Sequence, residues 1–326
     1  MIAIRANVNK NIRMRKLFFT ILILFVCLTA AAQKNLILKA DSIVSAFYFN
    51  SGFDTAYVSR PEQRFMIALH PDFSSIGILL RKGERRAKFD TDLSDKIGVF
   101  ATYRGYGFGY SFMPRRGRKN DGEFNFRFFC RRFGIETDFC RATSFAADIN
   151  TADTSFSIDR GDIDFKMRMF SVYYVFNNTK FAFPAAFDKS YTQIRSCGSV
   201  LLGASFASAK MKTGPHDFDV MSSTGGFGVG YGYNFVTKQK FLFHLSIIPT
   251  FMIWEENEVK TTSGKQFMAR NYSDLCIWGR AAASYNFKRV FVGADYVLYA
   301  TLLGNRRAVS TRFTRNISRF FFGFWF

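Results

Sequence analysis

From about Glu62 onward, apolar and polar residues alternate with a period of two. Phe124, Phe126 and Phe128 interleave with Glu123, Asn125 and Arg127, and residues two apart share one face of an extended chain. The next segment sets Phe133, Ile135, Thr137 and Phe139 against Gly134, Glu136 and Asp138, with Cys130, Arg131 and Arg132 as the turn between. Tyr106, Phe108, Tyr110 and Phe112 alternate with Gly107, Gly109, Ser111 and Met113. Phe227, Val229, Tyr231, Tyr233 and Phe235 alternate with Gly226, Gly228, Gly230, Gly232 and Asn234. Each reads as a strand with one apolar face. Less regular stretches at 164–176, 195–210, 241–254, 271–287, 290–303 and 312–326 extend the series. Dividing some 265 residues by about 22 per strand and connection predicts about 12 strands, within a range of 10 to 14, because bacterial barrels are even-numbered.

Alternation alone fits a soluble sandwich as well as a membrane barrel. The face opposite the rings carries Gly, Ser, Asn, Asp, Glu and Arg, which suits a polar lumen, while 42 Phe and 14 Tyr suit lipid and aromatic girdles. Strand edges open to lipid would stay unpaired, so the strands must close. The expected fold is all-β: a closed antiparallel transmembrane β-barrel over residues 62–326. A soluble periplasmic binder is the alternative.

Residues 1–32 read as a secretory signal. Arg13, Arg15 and Lys16 precede an apolar run from Leu17 to Leu28, and Ala30-Ala31-Ala32 before Gln33 places cleavage between Ala32 and Gln33. Met14 is an alternative start. Residues 33–61 form a periplasmic leader in which Leu36, Ile37, Ala40, Ile43, Val44 and Phe47 recur at helical spacing. At the other end Phe320, Phe322, Phe324 and Phe326 share one face of the last strand, resembling the assembly signal read by the barrel insertion machinery. The expected location is therefore the outer membrane of a Gram-negative bacterium.

Net charge is +20; loss of Arg5, Lys10, Arg13, Arg15 and Lys16 with the signal leaves 40 bases against 25 acids. No nucleic-acid motif accompanies that charge, so the expected partners are membrane lipid and anionic lipopolysaccharide, with a small solute besides. The basic runs Arg81 to Lys88 and Arg306 to Arg315, and the cluster Arg115, Arg116, Arg118 and Lys119 after Pro114, read as loops or strand ends at the membrane interface. Cys130, Cys140, Cys197 and Cys276 follow no disulfide or zinc spacing. Cys130 and Cys140 flank one predicted strand and are too far apart to pair.

Three stretches resemble the DUF4421 family of Bacteroidetes proteins, a domain of unknown function predicted to form outer-membrane barrels. They are Asp54-Thr55-Ala56-Tyr57-Val58, Phe181-Ala182-Phe183-Pro184-Ala185-Ala186-Phe187, and Gln193-Ile194-Arg195-Ser196-Cys197-Gly198-Ser199. The likeness covers residues from about 50 to 326. The second segment is the distinctive one, and Cys197 stands where a small residue is expected. The resemblance implies a barrel and no activity.

Few residues suggest chemistry. His70, His216 and His244 have no ligand-spaced companions, so no metal site and no cofactor are expected. The glycine run Gly225 to Gly230 continues as a strand rather than opening a helix, unlike a phosphate loop. His244-Leu245-Ser246 places an imidazole and a hydroxyl on one side of a strand, where the first could activate the second given an orienting acid or amide. Outer-membrane lipid hydrolases use such a pair, but on their outer surface. Here Phe241, Phe243, Leu245 and Ile247 take the lipid side and turn His244 and Ser246 inward. The expected function is a non-enzymatic barrel, either a narrow solute channel or a closed structural element, with lipid hydrolysis by His244 and Ser246 as the enzymatic alternative.

Overall fold

The computed structural model describes residues 52–326 apart from 83, 115–120, 151–154, 214–217, 238–239, 262–265, 272–273 and 304–309. The signal segment with Ala32 and Gln33, the helical leader pattern, His216 and the cluster Arg115, Arg116, Arg118 and Lys119 lie outside the described residues.

In chain order the strands are β1 (Val58–Ser59), β2 (Phe65–Lys82), β3 (Arg85–Thr91), β4 (Ser94–Tyr103), β5 (Tyr106–Phe112), β6 (Gly122–Phe129), β7 (Phe133–Ala142), β8 (Phe145–Asn150), β9 (Ser155–Ile158), β10 (Ile163–Val175), β11 (Thr192–Gln193), β12 (Cys197–Thr213), β13 (Phe218–Thr237), β14 (Phe241–Thr261), β15 (Gln266–Asn271), β16 (Asp274–Phe287), β17 (Val290–Leu303) and β18 (Ser310–Trp325). Twelve of them make the wall in the order β18-β17-β16-β14-β13-β12-β10-β7-β6-β5-β4-β2, every neighbour is antiparallel, and β18 pairs with β2 to close the ring. Closure removes the free edges that a sheet in lipid could not satisfy. β3, β8 and β9 extend the sheet from β2, and β15 pairs with the end of β14.

Burial alternates along the wall as the pleat requires. On β6, Gly122–Phe129, and β10, Ile163–Val175, every second residue is buried. Outward residues are large and apolar: Leu69, Phe108, Tyr110, Phe133, Phe206, Phe227, Val229, Leu245, Phe251, Phe320 and Phe322 are all exposed on the outer surface. The rings therefore ring the outside of a closed cylinder rather than meeting between two stacked sheets, which is the arrangement of a barrel in hydrocarbon.

The two ends differ. At the proximal end, where Phe65 and Phe326 exchange backbone hydrogen bonds of 3.1 and 2.9 Å, hairpins are tight apart from the connection between β10 and β12. Arg104 and Gly105 both take positive φ, 47° and 84°, in the two-residue connection between β4 and β5 that a twisted hairpin favours. Distal connections are longer, and short proximal turns with long distal loops are the pattern of outer-membrane barrels.

Two expectations about the interior need correction. Of the basic run Arg306 to Arg315, residues 306–309 lie outside the described residues, and its end is not at an interface: β18 turns Arg315 inward, 2% exposed, where it pairs with Glu123 at 3.0 Å. Nor is the lumen filled by small and charged groups alone. Phe89, Phe145, Phe165, Met167 and Met211 pack inside the distal half as one buried cluster, and Phe291, Phe321 and Trp325 form another near the proximal end. A barrel of this size leaves little free space, and inward-facing side chains fill it. The four cysteines Cys130, Cys140, Cys197 and Cys276 are free thiols.

Candidate functional site

The connection from β10 to β12 does not stay outside. Residues 181–191 are all buried, although only Phe183–Ala186 form regular structure, one turn of 3-10 helix with Pro184 as its second residue. Proline is tolerated in a first turn because the N–H it lacks would have no partner within the helix. The segment enters the proximal mouth as a stopper. Phe183 and Phe187 meet Phe129 of β6, Phe183 meets Tyr173 of β10, and Phe181, Phe183 and Phe187 surround His244 of β14. Lys189, held at a left-handed φ of 67°, reaches across to Ser284 and Asn286 of β16.

The three stretches that carry the family resemblance converge on this stopper. Gln193 is their junction. Its Oε1 accepts from the Ala182 N–H at 2.9 Å, and its Nε2 lies within 2.6 to 3.2 Å of the carbonyls of Lys180, Arg195 and Tyr57. β1 pairs with β11 beside it. Asp54 begins the turn that delivers Tyr57, its carboxylate accepting from the Ala56 N–H at 3.0 Å. These residues fasten a loop that would otherwise leave its polar backbone buried and unpaired.

From this junction a single hydrogen-bond chain runs into the wall. The Ala182 N–H fixes which end of the Gln193 amide is the acceptor. Asn234 of β13 then donates through Nδ2 to Gln193 Oε1 at 3.0 Å and to the Ala182 carbonyl at 2.8 Å. Its Oδ1 faces His244 Nδ1 at 2.7 Å. Because Oδ1 can only accept, Nδ1 carries the imidazole proton, and Nε2 is left as the acceptor for the Ser246 hydroxyl at 3.0 Å. His244 and Ser246, singled out in the sequence, thus face the lumen together at 0% and 5% exposure. Asn234 supplies the orienting amide. It was visible in the sequence as the one inward position of Gly226, Gly228, Gly230, Gly232 and Asn234 that is not glycine, but no rule of spacing linked it to His244. The pairing of β13 with β14 sets Asn234 directly opposite His244.

Ser246 is opposite Arg280 of β16 in the same way. Arg280 gives Nη2 to both oxygens of Glu136 at 3.0 Å and stacks over Phe187 with its carbon 4.0 Å from the ring centre. Its Nε and Nη1 are buried with no hydrogen-bond partner among the described residues. Ser246, Arg280, Glu136, Ser171, Tyr173 and Trp278 line one cavity.

Beside this cavity a charge network crosses the lumen. Lys96, Arg315 and Arg319 surround Glu123 at 3.0 to 3.3 Å, Arg319 continues to Asp72 and Asp295, Arg315 to Asp138, and Arg127 joins Arg280 on Glu136. Asp72 also accepts from Ser111 at 2.6 Å and meets His70 at 2.5 Å. Five carboxylates thus face five cations, so each buried charge has a counter-charge. In the stopper, burial pushes the Asp188 carboxyl up to about 6 despite the pull of Ser190 and Arg127. Burial also pushes the Lys189 amine down to about 7.

The distal half is different in kind. A chamber there is lined largely by Ile78, Leu80, Phe89, Phe165, Met167, Met211, Val220, Met252 and Phe313, with Ser222, Thr224, Glu255, Asn257, Tyr299 and Thr301 as polar members. It lies one pleat repeat or more above the inner cavity on shared strands. β14 gives Ser246 and Ile248 to the inner cavity and Met252 to the chamber, β10 gives Met169 and Ser171 then Met167 and Phe165, and β16 gives Arg280 and Trp278 then Cys276.

A closed twelve-stranded barrel with an apolar exterior and a built-in stopper defines a class of transmembrane β-barrel. Residues 53–326 match the family described as "Domain of unknown function (DUF4421)", and the chain belongs to that family. Comparison with curated proteins gives no match. Among solved structures it is similar to the outer membrane protease OmpT from Escherichia coli, at 6% identity over 85% of this chain and 100% of that one, with a TM-score of 0.45. It is also similar to the beta domain of the Bordetella autotransporter BrkA, at 9% identity over 79% and 100% with a TM-score of 0.39. A third is the Pseudomonas putida toluene transporter TodX, at 9% identity over 82% and 90% with a TM-score of 0.32. Scores this low carry no argument about what the lumen does.

Proposed function

We propose that this chain is an outer-membrane barrel that keeps no open pore and takes a small apolar molecule, or the acyl chain of an amphiphile, into its distal chamber. The observation that carries this reading is the largely apolar lining of that chamber, set on the distal side of the charge network that crosses the lumen. Apolar surface facing water is unfavourable by about 25 cal/mol per Å², so a lining of this kind is stabilised by an apolar occupant. Its polar members would orient the occupant.

The surroundings support the same placement. Outward rings give the barrel its lipid contact, and the outward row Phe320, Phe322, Phe324 and Phe326 is where the insertion machinery would read the last strand. Arg85, Arg86, Lys88, Lys210, Lys212 and Lys260 are exposed on the distal strands, where they suit anionic lipopolysaccharide.

Native mass spectrometry of the purified barrel with single-chain alcohols of increasing length tests the chamber. We expect one adduct per barrel, rising with chain length and lost in Ala209→Trp, which fills the lining beside Met211. No adduct, or equal adducts in the variant, would overturn the reading.

A further inference from the structure

We propose that Asn234, His244 and Ser246 form a nucleophilic triad and that, with Arg280, they hydrolyse a carboxylic ester whose apolar chain occupies the distal chamber. The inference rests on the chamber reading for the identity of the substrate and on independent geometry for the chemistry.

The geometry has three parts. The chain of fixed donors from Ala182 through Gln193 and Asn234 leaves His244 Nε2 unprotonated and hydrogen-bonded to the Ser246 hydroxyl at 3.0 Å. A base in that tautomer is what an activated serine needs, and an amide in place of the usual carboxylate still orients the ring. A buried polar chain serving only to satisfy its members would be complete without a second feature. That feature is Arg280, across the strand pair from Ser246, with inward side chains on opposed residues about 5 Å apart at Cβ. Its Nε and Nη1 lack hydrogen-bond partners among the described residues although the residue is only 9% exposed. Unused cationic donors beside a nucleophile stand ready for the oxygen that gains charge in acyl transfer. The third part is position. Ser246 opens on the inner cavity, and the apolar chamber follows on the same strands. An acyl ester lying along the barrel axis would put its chain in the chamber and its carbonyl at Ser246.

The reaction balances with water as the co-reactant. Ser246 Oγ gives its proton to His244 Nε2 and bonds to the ester carbon, and the carbonyl oxygen takes the negative charge toward Arg280. The carbon–alkoxy bond then breaks, and the leaving alkoxide takes the proton from Nε2 as an alcohol. Water, deprotonated by His244, releases the acyl group from Ser246 as a carboxylic acid and restores the hydroxyl.

Alkyl fluorophosphonates of short and long chain, incubated with the full detergent-purified protein, test both halves separately by intact mass and peptide mapping. We expect covalent label on Ser246, faster for the long chain. Ser246→Ala should abolish it, His244→Gln should slow it by at least about 100-fold, and Ser246→Cys should restore labelling by a thiol-reactive acyl analogue. Each variant must keep the heat-modifiable gel shift of a folded barrel. Label on Ser246 without chain-length preference would keep the triad and overturn the chamber as its substrate site. No label in the folded native protein would overturn the triad, and the alcohol adducts would then still decide the chamber on their own.

Discussion

Asp188 and Lys189 sit next to one another in the stopper, both buried, and their preferences oppose ordinary ionisation. Below pH 3.8 the carboxyl is neutral in folded and unfolded chains alike and contributes nothing. As pH rises toward 6 the unfolded chain ionises first, so the folded barrel loses stability, and above 6 that loss is complete. Lys189 runs the other way, its loss complete below 7 and fading as pH climbs toward 10.5. Asp188→Asn should therefore stabilise the barrel at neutral pH by an amount on the order of 1 to 3 kcal/mol and so raise its heat-unfolding midpoint, and the advantage should vanish near pH 3.5. Circular dichroism melts at the two pH values check this, and an equal gain at both would show that the carboxyl is not held out of water. At this scale the sequence was readable only in part. His244 and Ser246 declared themselves by spacing, and their inward direction followed from the apolar neighbours Phe243 and Leu245. Asn234 and Arg280 did not, because their link to Ser246 exists only through strand register, which a single sequence does not state.

Strands β13 and β14 show how an element can be bent to make room. Their register shifts at Gly225 and Gly226, and the ladder between Gly228 and Tyr231 is interrupted. A Cβ on Gly228 or Gly230 would overlap the carbonyl oxygens of Pro249 and Ile247 on the facing strand. That overlap is with backbone, which has no rotamer to yield, so Gly228→Val should exceed the usual 1 to 3 kcal/mol of overpacking and reduce the folded fraction on a heat-modifiability gel. Gly203→Ala is the control: its Cβ would lie 3.4 Å from Ile248, ordinary contact, and normal assembly is expected. The sequence placed the glycine strand and the Phe124 and Phe133 strands by alternation alone, and β17 at 290–303 from a less regular pattern. β2 was harder to delimit, since His70, Pro71 and Asp72 interrupt an apolar run and a proline argues against a central strand. β3, β8 and β9 are short, β3 is rich in charge, and all three gain their order from the distal cluster to which Phe89, Phe145 and Ile158 belong rather than from their own pattern.

For the whole molecule, the stopper and the cross-lumen ion pairs act in series along any path for ions. Planar-bilayer recordings of the purified barrel should show no stepwise current, whereas removing the stopper residues 181–191 should give openings if the charge network relaxes with it. Stepwise current in the native protein would mean that the loop leaves the mouth. The sequence foretold a narrow interior from strand number, and it marked Phe181 to Phe187 as distinctive. It gave no means of telling that this segment turns inward, because a loop of Phe, Pro and Ala reads equally well as a membrane-surface contact until its partners Phe129, Tyr173 and His244 are in place.

The ties between opposite walls, Arg280 of β16 to Glu136 of β7 and Arg319 of β18 to Glu123 of β6, fix a length as well as a charge balance. A guanidinium and a carboxylate span one set diameter and no other, so this cylinder could not gain a hairpin by duplication and keep them. Any descendant with a wider girth would have to surrender these crossbars together, and with them the seat on which Phe187 rests.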